Sequence, residues 1–72
     1  MILDKIKDNV INKEGKVIHF KYNGSRNQIE EFDGVIIKCY KYVFLIKLID
    51  NGVVKSFSYS DILIGTLIIN GQ

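Results

Sequence analysis

The 72-residue sequence has no proline, no tryptophan and no alanine, and only one cysteine and one histidine. A single cysteine, Cys39, cannot close an internal disulfide and has no second thiolate with which to hold a metal, which fits a reducing compartment. Long apolar runs are missing as well. No stretch approaches the ~18 apolar residues of a membrane span. The first residues, Met1-Ile2-Leu3-Asp4-Lys5, lack the basic region and apolar run of a signal peptide. The expectation is a soluble cytoplasmic protein with no membrane association. Charge of one sign is scarce too: the net charge of +2 is too small to argue for nucleic acid by itself.

What is present is a hydrophobic fraction of 47%, supplied mainly by Ile, Leu, Val, Phe and Tyr. β-branched and aromatic side chains suit a pleated, half-buried surface, so composition leans towards β structure. A chain of this length makes one domain, here spanning 1–72, whose stability is marginal and whose apolar residues all matter.

Residues Ile2 to Lys13 place apolar side chains at Ile2, Leu3, Ile6, Val10 and Ile11, with charges between them. That period predicts an amphipathic helix within 1–15, ended by Gly15. From Lys16 the period becomes two, and Ile18, Phe20 and Tyr22 share the buried face of a strand, opposite Val17, His19 and Lys21. Asn23-Gly24 opens a polar loop. The long extended stretch from Ile29 to Tyr40 contains Gly34, where a bulge or sharp bend is expected. Beyond it the alternation groups Val35, Ile37 and Cys39.

Tyr40-Lys41-Tyr42 has no turn-forming residue, so the reversal there is inferred from length. Phe44, Ile46 and Leu48 then point inward, and the apolar outer row Val43, Leu45 and Ile49 calls for a cover, for which the helix is the candidate. Asp50-Asn51-Gly52 suits a type I′ hairpin turn. Val53 to Ser58 forms the return strand. Ser58 or Ser60 caps a helical turn at Asp61–Ile64, and Thr66 to Ile69 is the last strand. The sum is a mainly β fold: a five-stranded SH3-like or Sm-like barrel over 16–70, behind the helix and with a short helical turn before the last strand.

No catalytic constellation emerges. His19 is a lone outward strand residue, and Cys39 alternates with core positions as a small buried hydrophobe. Asp61 belongs at the start of a helical turn as a cap. Glu30, Glu31 and Asp33 lie on one strand and alternate faces, which does not enclose a cation. The charge layout says more. A basic segment (Lys16, Lys21, Arg26) precedes this acidic one, and a second basic segment (Lys38, Lys41, Lys47) follows it. Lys38 and Lys41 lie beside Tyr40 and Tyr42. Cations among aromatic rings suit single-stranded nucleic acid, and they equally describe a tyrosine-rich protein-binding patch.

The stretch Ser56-Phe57-Ser58-Tyr59-Ser60-Asp61-Ile62-Leu63, followed by Thr66-Leu67, resembles the Veg protein family of low-GC Gram-positive bacteria. Tyr40, Val43-Phe44, Gly34 before an apolar run, and Gly15-Lys16 leading to Asn23-Gly24 and Arg26 support the resemblance over almost the whole chain. It implies a small SH3-like barrel behind an N-terminal helix, with no enzymatic activity and no cofactor. It also implies stimulation of biofilm formation, acting on matrix genes by relieving a transcriptional repressor. Two positions depart from the family pattern. Ser25, Asn27 and Gln28 surround a solitary Arg26 where more basic residues are typical, and Lys41 stands where proline is common after Tyr40.

The resulting expectation is a non-enzymatic regulatory binding module with a protein partner, and Arg26, Lys38, Tyr40, Lys41 and Tyr42 as its contact surface. Phe57, Tyr59, Asp61, Ile62 and Leu63 are assigned to the scaffold. Direct RNA or DNA binding through the basic-aromatic rim is the alternative, and a homodimer through an open barrel edge stays open.

Overall fold

The computed structural model describes residues 2–24 and 28–70, with the side chains of Ile2 and Asn70 excepted. The apolar spacing of the first residues produces helix α1 (Ile2–Asn12). Its inward side is narrow: Val10 is fully buried and Ile6 packs beside it, while Leu3 and Ile11 remain exposed. Gly15 ends this segment in the left-handed region (φ +84), which a residue with a Cβ rarely adopts. Its N–H donates to the Ile36 carbonyl at 3.0 Å, fastening the end of the helix to the sheet.

The strands are β1 (Val17–Asn23), β2 (Ile29–Cys39), β3 (Val43–Leu48), β4 (Val54–Ser58) and β5 (Leu67–Asn70), with the short helix α2 (Tyr59–Leu63) before the last. Among the described residues they form one antiparallel sheet in the order β4-β3-β2-β1-β5. The fold is mainly β, as expected. β4 and β5 stand at the two ends of the sheet and do not pair with each other, so the sheet curls without closing.

Side chains complete what the backbone leaves open. Phe57 of β4 reaches Tyr22 of β1 and Phe32 of β2, with ring centroids 5.7 and 6.0 Å apart. Phe20, Phe44, Ile18, Ile36, Ile46 and Leu67 are fully buried around them. Each such side chain contributes roughly 1.5–3 kcal/mol on burial. The expected inward rows Ile18-Phe20-Tyr22 and Phe44-Ile46-Leu48 both face this interior.

Five local expectations are corrected. Gly34 carries no bulge: it pairs regularly with Ile18 on one side and Leu48 on the other. It is glycine because the strands crowd there, and a Cβ would lie 2.5 Å from Ile46 Cγ2. The register shifts instead between Ile36 and Lys38. The extra residue Ile37 is displaced outward, so Ile36 and then Cys39 face inward rather than Val35, Ile37 and Cys39 together.

The outer row Val43, Leu45 and Ile49 has no helical cover, and Val43 and Ile49 are exposed. The helix α1 lies instead over the mouth of the curled sheet, where Ile6 and Val10 meet Ile62 of α2 and Leu67 and Ile69 of β5. An open mouth exposes the core itself, a larger apolar loss than a convex face of scattered side chains.

The β3–β4 connection is not a two-residue type I′ turn: the Leu48–Val53 pair closes a loop over residues 49–52. Leu48 N–H donates to the Val53 carbonyl (2.8 Å) and Gly52 N–H to the Leu48 carbonyl (2.9 Å), with Gly52 at φ +71. Finally, α2 begins at Tyr59, two residues before the expected turn. Ser58 is its N-cap in a capping box: its hydroxyl accepts from Asp61 N–H and the Asp61 carboxylate accepts from Ser58 N–H.

Candidate binding surface

The turn Tyr40–Tyr42 joins β2 to β3 and is closed by Tyr40 N–H donating to the Val43 carbonyl at 2.8 Å. It has no glycine or proline, and its shape is fixed from behind by Tyr59. The Tyr59 hydroxyl donates to the Tyr40 carbonyl (2.7 Å) and its N–H donates to the Tyr42 carbonyl (3.2 Å). Tyr59 is buried and stacks on Phe44, with centroids 5.4 Å apart. Burial, with Cys39 beside it, pushes the phenol up to about 12, so this hydroxyl stays a donor across the physiological range.

The rings of Tyr40 and Tyr42 project from this fixed turn, Tyr42 being 71% exposed. The Lys38 ammonium lies 5.5 Å from the Tyr40 ring centroid and that of Lys41 5.4 Å from Tyr42. Both are cation–π distances. Lys38, Tyr40, Lys41 and Tyr42 are therefore brought together at one end of the sheet. Arg26 lies outside the described residues.

Beside this turn runs a groove of about 350 Å³. One wall is α1, through Leu3, Asp4 and Lys7; the other is the turn, through Lys41 and Tyr42; Tyr59 and Ser60 form the base. The Lys7 ammonium stands 6.0 Å above the Tyr59 ring. Leu3 and Lys7 are one helical turn apart and so share a face. Sequence reasoning missed both because it laid the helix across the outer face of the sheet. No local pattern in the sequence marks them, because the groove joins α1 to a turn and a helix far along the chain.

His19 sits on the outer face, where Nδ1 meets Asp33 Oδ1 and Nε2 meets Glu31 Oε1, each at 2.9 Å. The hydrogen bonds to Glu31 and Asp33 raise the imidazole above its ordinary value. Glu30 turns the other way, to Lys55 at 3.8 Å. Burial pushes the Cys39 thiol up, which keeps it from acting as a thiolate. Among the described residues no group of three or more His, Cys, Asp or Glu side chains is placed to hold a metal ion.

A model of the Veg family, described as biofilm formation stimulator, matches residues 1–70. The chain belongs to the Veg family. No curated protein matches it. The match takes in α1, the Tyr40–Tyr42 turn and α2, so the groove and the basic-aromatic rim are both within the Veg region. The family description is of stimulation of biofilm formation and names no reaction. No helix among the described residues is long and apolar enough to cross a membrane.

Proposed function

We propose that the protein is a non-enzymatic cytoplasmic regulator that raises matrix-gene expression by binding a macromolecular partner, a protein such as a transcriptional repressor. The observation that carries this reading is the family match over residues 1–70. The structure supports it with a surface suited to contact: two lysines over two exposed tyrosines, on a turn held rigid by Tyr59. Tyrosine beside cations is the composition of strong protein-contact sites, and a fixed turn lowers the entropy lost on binding.

The test is complementation. Cells lacking the gene should lose matrix-gene expression, and the wild-type chain should restore it while a Lys38→Glu/Lys41→Glu variant should not. Full restoration by that variant sinks this surface as the contact site.

The Lys38–Tyr40 and Lys41–Tyr42 pairs favour a second reading, direct binding of single-stranded RNA or DNA by phosphate neutralisation and base stacking. Anisotropy of labelled oligonucleotides separates the two. Binding that weakens linearly on a log–log salt plot supports nucleic acid, and no binding at low salt removes it.

A further inference from the structure

We propose that the groove between α1 and the Tyr40–Tyr42 turn docks an acidic segment of the partner protein, with its carboxylates on Lys7 and Lys41 and an apolar anchor on Leu3 and Tyr42. This deepens the regulatory reading above and rests on it.

Charge complementarity points to an acidic occupant. Lys7 and Lys41 stand on opposite walls, and among the described residues neither forms an ion pair. Each ammonium lies over a tyrosine ring, which orients the cation and leaves its N–H groups to donate to a carboxylate. Between the two cations the walls are apolar and open. Leu3 is 36% and Tyr42 71% exposed, so a large side chain laid between them would remove surface from water on both sides. The volume of about 350 Å³ suits an anchor side chain with the backbone on either side of it. That size falls at the lower end of the roughly 300–1,000 Å³ typical of ligand sites.

The same groove is poorly suited to a phosphodiester strand. It offers only two amines, Lys7 and Lys41. A nucleic-acid backbone brings a negative charge with every nucleotide, more than two amines can answer, whereas a peptide can place its acids only where the lysines stand. The site is also largely formed in advance. Tyr59 holds the turn through its hydroxyl and its N–H, and the capping box holds the start of α2 beneath it.

The experiment is an NMR titration of the ¹⁵N-labelled full chain with an acidic heptapeptide carrying one central tryptophan. The same peptide with lysines in place of its acids, and a short oligothymidylate, are titrated in parallel. Expected are salt-sensitive shifts at Leu3, Lys7, Tyr42 and Ser60 with the acidic peptide alone. A Lys7→Ala/Lys41→Ala variant should bind at least about tenfold more weakly, since even one of the two lost charge-assisted contacts represents that much.

No shifts at millimolar peptide, shifts centred elsewhere, or an equal response to the lysine peptide would overturn the proposal. So would oligothymidylate moving the same amides at lower concentration. If the double variant does not fold, the shift map on the wild-type chain decides alone. The two readings fail separately. Loss of the peptide map in a protein that still drives matrix-gene expression removes the groove alone. Unchanged matrix-gene expression in cells lacking the gene removes the regulatory reading, while the peptide map still judges the groove.

Discussion

The Tyr59 hydroxyl donates a 2.7 Å hydrogen bond to the carbonyl of Tyr40, nineteen positions earlier in the chain. This contact ties the start of α2 to the turn that carries the exposed tyrosines. Tyr59→Phe keeps the ring on Phe44 and deletes the donor. We expect a stability loss of about 0.5–1.5 kcal/mol by urea unfolding. Faster amide exchange at the turn should accompany it, together with weaker partner binding. The phenol also has a pH signature. Its folded value, about 12, lies above the ordinary 10, so its contribution is complete below about pH 10 and is lost as pH rises towards 12. Tyr59→Phe should remove that part of the alkaline stability loss.

Gly34→Ala tests the crowding between β2 and β3. The added methyl would meet Ile46 Cγ2 at 2.5 Å and the Lys47 carbonyl oxygen at 3.1 Å. Ile46 is fully buried and has no room to retreat. Overpacking of this kind costs about 1–3 kcal/mol. Ile46→Val retains Cγ2 and should not rescue it; Ile46→Ala removes the clashing methyl and should make the double variant less destabilised than the sum of the singles.

His19 provides a pH-dependent readout on the outer face. Hydrogen bonds to Glu31 and Asp33 raise its value above the ordinary 6.5. Their contribution is therefore full below about pH 6.5 and fades as pH rises through the folded value. NMR titration should find the imidazole midpoint above 6.5, and Glu31→Gln should move it downward. The wild-type melting temperature should fall more steeply than that of His19→Gln from about pH 6 to about pH 8. The group is solvent-exposed, so added salt should flatten the difference.

Asp61→Ala removes half of the capping box under α2. A loss of about 0.5–2 kcal/mol is expected by thermal or urea unfolding. Partner affinity of the folded variant should fall only slightly, through the loosened start of α2, and well short of the loss from Lys7→Ala/Lys41→Ala. A folded variant that has lost its partner would move Asp61 from scaffold to contact surface.

The elements written in periodicity were legible in the sequence. The threes and fours of Ile6 and Val10 marked α1, and the twos of Ile18-Phe20-Tyr22 and Phe44-Ile46-Leu48 marked the inward rows. The position of the bulge was not, because a glycine in a strand signals either a bulge or close packing, and only the neighbour Ile46 distinguishes them. Which face the helix covers was also hidden. That choice depends on how the sheet curls and leaves its mouth open, a property of β4, β1 and β5 together rather than of any local pattern. The basic-aromatic rim was readable because its four residues lie within five positions, whereas its partner Lys7 comes from the far side of the sequence.

The strand order has a consequence for how the chain is assembled during synthesis. β1 lies between β2 and β5, so the first strand made waits for the last one before both its edges are paired. The meander β1-β2-β3-β4 can form from neighbouring hairpins as it emerges from a ribosome. Tyr22 cannot meet Leu67 until the final strand has cleared the exit tunnel. Until then β1 exposes a bare edge beside an uncovered core, the state from which strand exchange and aggregation start. A nascent chain held with α2 outside the exit tunnel and β5 still inside it should therefore be digested readily by protease, and emergence of β5 should protect the whole sheet in one step.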